Sequence, residues 1–279
     1  MTVRRTPLGA VLGVLVLAAV AFAGCDSDGE PDTQACRLVA PTPSAGPADS
    51  SAVKVTEQGY TTVAPDFPRN STDAPRVSIG AVLQNTSDQV AYRTRVVFDA
   101  LDASGTSVIS GPQATYKMIE VPILLPGATI AVGDTLVADE KSTVAKVSVT
   151  PAVTAWLPPG DANNGLARIS ATPAANPGTR AANGSATVAF TIESGNCTDL
   201  LSRGITFAWR DAAGKLVGGN TDAQTKQSAC QTGGANQPIT AMSQPNTVPV
   251  TADLAKTDIT ALCDVAPGAG AVSSGQPIN

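Results

Sequence analysis

Apolar and polar side chains alternate at a spacing of two through this chain, and beyond the first two dozen residues no segment sustains the 3.6-residue apolar spacing of a helix. Val77, Ile79, Ala81 and Leu83 form one such alternating run, and Asn85-Thr86-Ser87-Asp88 follows it as a turn. The clearest signal is a repeat. Val96 to Gly105, V-V-F-D-A-L-D-A-S-G, returns 109 residues later at Ile205 to Gly214 as I-T-F-A-W-R-D-A-A-G. Each copy predicts a strand with apolar side chains two apart, Val96 and Phe98 in the first and Ile205, Phe207 and Trp209 in the second. Each closes in a turn that starts on Asp102 or Asp211, whose carboxylate can bond the backbone just beyond it, and ends on Gly105 or Gly214, which supply a left-handed residue.

The same offset carries Ile79, Ala81 and Leu83 onto Val188, Phe190 and Ile192, so the register holds over two strands. Pro122 to Gly127 predicts a strand ending in a type II Pro-Gly turn. Its counterpart, matched with a three-residue shift, is Pro238-Ile239 followed by Gln244-Pro245-Asn246. The last strands, Val147 to Pro151 and Cys263 to Pro267, align at an offset of 116, which places Cys263 where Val147 stands and turns it inward. Trp156 to Gly165 is rich in Pro, Gly and Asn and separates the copies, with Trp156 packing either at their junction or on the first core. The expected division is a β-sandwich at 52–157, a linker at 158–165, a second sandwich at 166–269 and a disordered tail at 270–279.

Residues 1–24 predict an export signal rather than part of the fold. Arg4 and Arg5 precede a 16-residue apolar run from Leu8 to Ala23, short for a membrane span. Phe22-Ala23-Gly24-Cys25 resembles the lipobox of bacterial lipoproteins, with Phe22 where Leu is usual. That resemblance implies a diacylglyceryl group on the Cys25 thiol and cleavage before it. Two acyl chains hold a protein on a membrane, whereas one is marginal. Residues 25–51 are mostly Asp, Ser, Gly, Pro, Thr and Ala, a flexible tether.

With a net charge of −5 and no basic run, nothing in the sequence favours nucleic acid. The chain has no histidine, which removes Ser-His-Asp and Cys-His nucleophiles and imidazole metal sites. No cofactor or metal is expected, because the spacings of 33 residues between Cys197, Cys230 and Cys263 match no short chelating pair. Once Cys25 is set aside, Cys36, Cys197, Cys230 and Cys263 predict two disulfides with three possible connectivities. The reading adopted puts Cys230 in a bridge within the second sandwich and lets Cys36 pin the tether to that sandwich. Asp99, Asp102, Asp134, Asp139, Glu140 and Asp211 are the carboxylates open to chemistry, and turn or strand-edge settings predict solvated side chains for all of them. Tyr60, Tyr92, Tyr116 and Trp156 are candidates for a sugar platform, with core or rim packing as the alternative. Residues 113–120 and 218–236 are the expected contact loops.

The N-x-[ST] strand end, the F-x-x-x-D strand entering a D-x-x-G turn and the strand entering Pro-Gly together resemble the FxLYD and DUF4352 type domains of bacterial exported proteins. Phe98 and Asp102, and again Phe207 and Asp211, fall at the ends of that five-residue signature. Its inner Leu and Tyr are replaced by Ala100 and Leu101 in one copy and by Trp209 and Arg210 in the other. The resemblance implies small immunoglobulin-like sandwiches. The expectation is therefore an all-β protein of two tandem immunoglobulin-like β-sandwich domains behind a signal peptide and flexible tether, held on the outer face of the cell membrane by its lipid. It would act without catalysis, as a binding or structural module with an envelope protein or a glycan as partner. A small-ligand or glycan carrier, which requires a deep apolar cavity in one sandwich, is the alternative. An envelope assembly or sensing factor is another. A hydrolase would need two acidic side chains facing each other about 5 to 9 Å apart.

Overall fold

A computed structural model of the chain describes residues 49–63, 74–109, 111, 117–139, 141–157 and 166–265. The alternating runs become twelve strands: β1 (Val53–Val63), β2 (Arg76–Asn85), β3 (Val90–Leu101), β4 (Met118–Leu124), β5 (Thr129–Val137), β6 (Lys146–Leu157), β7 (Ile169–Pro173), β8 (Thr187–Ser194), β9 (Leu201–Arg210), β10 (Leu216–Asp222), β11 (Ile239–Met242) and β12 (Asp258–Asp264). They pair into four three-stranded antiparallel sheets. In the first half the orders are β1-β2-β5 and β4-β3-β6, and in the second they are β7-β8-β11 and β10-β9-β12. The halves thus share one connectivity, that of an immunoglobulin-like sandwich.

Each half has its own core. Val77, Ile79, Ala81 and Leu83 of β2 meet Val96, Phe98 and Ala100 of β3 in the first. In the second, Val188, Phe190 and Ile192 of β8 meet Ile205, Phe207 and Trp209 of β9. Apart from Val77, whose offset partner is Ala186 of the second core, these are the residues the 109-residue offset pairs. The two turns match as well. Asp102 Oδ1 accepts from the amides of Ser104 and Thr106, and Asp211 Oδ1 from those of Ala213 and Lys215, all at 2.9 Å. Gly105 and Gly214 adopt φ of 88° and 86°.

One correspondence needs correction. The strand entering the Pro-Gly turn is β4, which pairs with β3, whereas Ile239–Met242 is β11, which pairs with β8 as β5 pairs with β2. The shared Pro-x turn chemistry, with Gly127 at φ 65° and Asn246 at φ 57°, closes both segments but does not make them equivalent. The Gly218-Gly219 pair, expected in a loop, lies inside β10 instead.

The reason lies between the halves. The outer face of β1-β2-β5 presents Gly59, Gly80 and Gly133, one per strand and in register across the ladders. Strands β9 and β10 of the second half press into this row. A Cβ on Gly59 would stand 2.0 Å from the Leu216 carbonyl oxygen, on Gly80 2.2 Å from that of Gly218, and on Gly133 2.1 Å from that of Phe207. Only side chains without a Cβ allow such an approach. Small hydroxyl side chains then satisfy the facing backbone. Ser78 Oγ donates to Gly219 O and accepts from Gly219 N, and Thr206 Oγ1 accepts from Gly133 N at 2.7 Å. Thr135 Oγ1 donates to Gly219 O and Thr221 Oγ1 to Gly133 O, at 2.9 and 2.6 Å. The glycine row of β1-β2-β5 is therefore the joint on which β9 and β10 of the second half sit.

A candidate binding cleft between the halves

Beside the glycine joint the two halves enclose a cleft of about 410 Å³. One wall is the turn between β4 and β5, with Ile123, Leu125 and Ile130. The other is Leu166 to Pro173, including the whole of β7, and the residues Thr257 to Ala261 of and before β12 close it. Two buried asparagines hold the walls. Asn85 Nδ2 donates to the carbonyls of Gln89, Leu124 and Leu125, and Asn85 Oδ1 accepts from the amide and hydroxyl of Ser87. Asn196 Oδ1 accepts from Ala167 N at 2.9 Å, while its Nδ2 donates to Ser194 Oγ. Both asparagines sit in N-x-[ST] strings, which sequence reasoning reads as turns without assigning the side chain a partner.

Charged clusters tie the halves at either side. Arg210 of β9 donates to both oxygens of Glu57 in β1, at 2.9 and 2.8 Å, and through Nε to Asp258 at 2.6 Å. Hydrogen bonding to Arg210 holds the Glu57 carboxyl below its ordinary range. Arg210, the last residue of β9 before the Asp211 turn, is thus a contact between the halves. At the second cluster Asp264, fully buried, accepts from Arg93 at 3.2 Å, from Arg203 at 3.0 Å and from the Tyr92 hydroxyl at 3.4 Å. Arg93 takes the left-handed backbone, φ 50°, at a position of β3 that neither ladder pairs, and its guanidinium reaches Asp264 of the second half. Glu120 lies 3.8 Å from Arg93, and its burial raises the carboxyl pKa.

The candidate residues separate as follows. Cys25, Cys36, Tyr116 and Glu140 lie outside the described residues. Cys230 and Cys263 are joined in a disulfide within the second half, and both are buried beside Leu200. Closing a loop of this length is worth roughly 4 kcal/mol in the chain-entropy account. Cys230 ends a short 3-10 turn, Gln227–Cys230, rather than lying in an open loop. Cys197 is exposed and also disulfide-bonded. Tyr60 and Trp156 pack on the first core, with Trp156 Nε1 donating to Asp49 O. Tyr92 is buried at the Asp264 cluster, so its phenol is no surface platform. Of the expected contact loops, 218–222 is buried strand.

Among the carboxylates, Asp99 accepts from Lys117 Nζ and Ser107 Oγ, Asp102 and Asp211 serve their turns, and Asp139 is exposed. Asp134 departs from the solvated expectation. It pairs with Ile79 in the β2–β5 ladder and therefore shares the inward face of that sheet. Burial pushes its pKa up to about 7, against one bond from the Thr135 amide. The folded form thus keeps a proton that the unfolded form has released. Stability from this group is present in full below pH 4 and is lost as pH rises toward 7. The shift corresponds to at most about 4 kcal/mol, and less because the side chain keeps some exposure. In urea unfolding at pH 4 and pH 8, Asp134→Asn is expected to match the parent at the lower pH and exceed it in stability at the higher one. Equal differences at both pH values would place the carboxyl in water.

Among the described residues no cluster of three Cys, Asp or Glu is arranged to hold a metal ion, and no helix is long and apolar enough to cross a membrane. No protein-family model matches the chain, and neither a curated protein nor a solved structure does.

Proposed function

We propose that this chain is a lipid-anchored envelope protein that works without catalysis, binding a partner in the cleft between its halves. The cleft carries the reading. It is lined mainly by apolar side chains, its walls are fixed by buried asparagine hydrogen bonds, and the joint beside it is backbone against backbone. A pre-formed concave site of a few hundred Å³ with a few fixed polar groups is the usual shape of a binding site. Both sandwich cores are filled with side chains, which favours a binder at the surface over a carrier with its cargo inside one sandwich.

Attachment is assigned to acyl chains on Cys25, following the lipobox. With Cys230 and Cys263 paired and Cys25 given to lipid, Cys36 is the thiol left for Cys197. Feeding cells an alkyne-tagged palmitate tests the anchor. The parent is expected to take up label and sediment with membranes, and Cys25→Ala to do neither. Label retained in Cys25→Ala would refute the assignment. Non-reducing peptide mass mapping should recover a Cys36–Cys197 linked pair.

A further inference from the structure

Strand β12 ends on three residues that serve different partners. Leu262 is buried in the core of the first half, and Asp264 accepts the bonds from Tyr92 and Arg93 of β3. Cys263, between them, points the other way and is bridged to Cys230 of its own half, as alternation along a strand requires. The β9–β12 register shifts between Ala261 and Cys263, so Leu262 stands where the ladder is broken and backbone pairing holds it least. The bridge takes over that task. Cys230 is fixed to the entry of β9: Leu200 N donates to Cys230 O at 2.8 Å, Gln227 Nε2 to Leu200 O at 2.6 Å and Ser202 N to Gln227 Oε1 at 3.2 Å. Both cysteines are buried beside Leu200, and Ile123 of β4, from the first half, packs against their cluster.

We infer that the Cys230–Cys263 bridge is a redox-sensitive clasp for the joint between the halves. With the bridge closed, Leu262 and Asp264 are held against the first half. With it open, the irregular end of β12 loses its fixture and both contacts loosen, which leaves the halves with the glycine row and the Arg210 cluster. Opening is a two-electron exchange. One thiolate of a dithiol attacks a bridge sulfur to give a mixed disulfide, its second thiolate resolves that, and two cysteine thiols form as the dithiol becomes a disulfide. Closing is the reverse, with an oxidised dithiol protein as the electron acceptor. Ile123 covers the bridge only while the halves are docked, so the coupling runs both ways: an open joint exposes the bridge, and an open bridge frees the joint. On the export and cleft readings above, the chain stays unlocked in a reducing cytoplasm and builds its cleft after reaching an oxidising compartment.

Amide exchange tests the clasp on the full chain in detergent, with dithiothreitol as the reductant. The Gly133 amide donates to Thr206 Oγ1 and the Gly219 amide to Ser78 Oγ, so both report the joint, while β3 and β8 amides report the two sandwiches. Opening of the bridge is counted by alkylation of Cys230 and Cys263 and peptide mass mapping. It is expected to speed exchange at Gly133 and Gly219 about tenfold or more and to leave β3 and β8 protected. Cys230→Ala together with Cys263→Ala should reproduce that effect without reductant, and Cys197→Ala, which removes a different disulfide, should not. In the opposite direction, Gly133→Ala touches no sulfur yet should speed reduction of the bridge about tenfold. Joint amides equally protected with the bridge open and closed, or freed by Cys197→Ala alone, would overturn the clasp. Loss of β8 protection along with the joint would overturn it too, since the bridge would then be a staple of the second sandwich only. A reduction rate unchanged by Gly133→Ala would refute the coupling.

Discussion

Gly133→Ala is expected to destabilise the protein by about 3 kcal/mol or more, although it adds a single methyl group. That methyl would stand 2.1 Å from the Phe207 carbonyl oxygen and 2.4 Å from Gly219 Cα, and both neighbours are backbone. Neither can swing aside as a side chain end would. Relief requires the two middle sheets to part, which also breaks the bonds from Thr221 Oγ1 to Gly133 O and from Gly133 N to Thr206 Oγ1. The control is Gly111→Ala, where a Cβ meets nothing within 4 Å and a change near zero is expected. Denaturant unfolding of the three proteins measures both. A Gly133→Ala chain as stable as the parent would mean that the halves are not in backbone contact.

The second large effect is expected at Asp264. Replacing it by Ala leaves the Arg93 and Arg203 guanidinium groups facing each other across a site from which the anion has been removed, and removes a partner of the Tyr92 hydroxyl. Removing one member of a buried ion pair costs about 3 to 5 kcal/mol, because the remaining charges stay desolvated. Here the arginines keep some exposure, so the lower end of that range applies. Arg93→Met combined with Arg203→Met and Asp264→Leu is expected to recover much of the loss, since both guanidinium charges then disappear with their shared partner. A Tm series over the parent, the single variant and the triple variant checks the order. A triple variant less stable than Asp264→Ala would show that the cluster is held by packing rather than by charge.

What the sequence displayed and what it concealed follow from the range of the interactions. The Phe98-to-Gly105 and Phe207-to-Gly214 segments were readable because a strand and its Asp turn are local, and the turn bonds reach only to the second and fourth residue beyond each Asp. The inward-facing rows of β2 and β8 were readable because alternation is a property of one strand. The joint was not readable. Gly59, Gly80 and Gly133 are far apart along the chain, each looks like an isolated strand glycine, and only the ladders bring them into one row. Gly218-Gly219 looked like loop because glycine disfavours strands, yet close backbone approach is what the strand there requires. Asp134 resembled a surface acid for the same reason, as its burial is set by partners from other strands. The candidate cleft lies between elements from both halves, so a reading that treated the copies one at a time had no means of forming it. The disulfide fell between. Cysteine parity predicted a bridge within the second half, and the pairing of Cys230 with Cys263 was settled by the fold.

The cleft exists only while the two halves are locked together, and that is the claim on which the functional reading rests. Spin labels at Thr150 of β6 and Thr240 of β11, exposed positions one in each half, report it directly by pulsed electron-electron resonance. A single narrow distance distribution is expected for the parent, broadening when Gly133→Ala is introduced. A broad distribution in the parent, unchanged by that substitution, would contradict the account and leave two sandwiches that move independently.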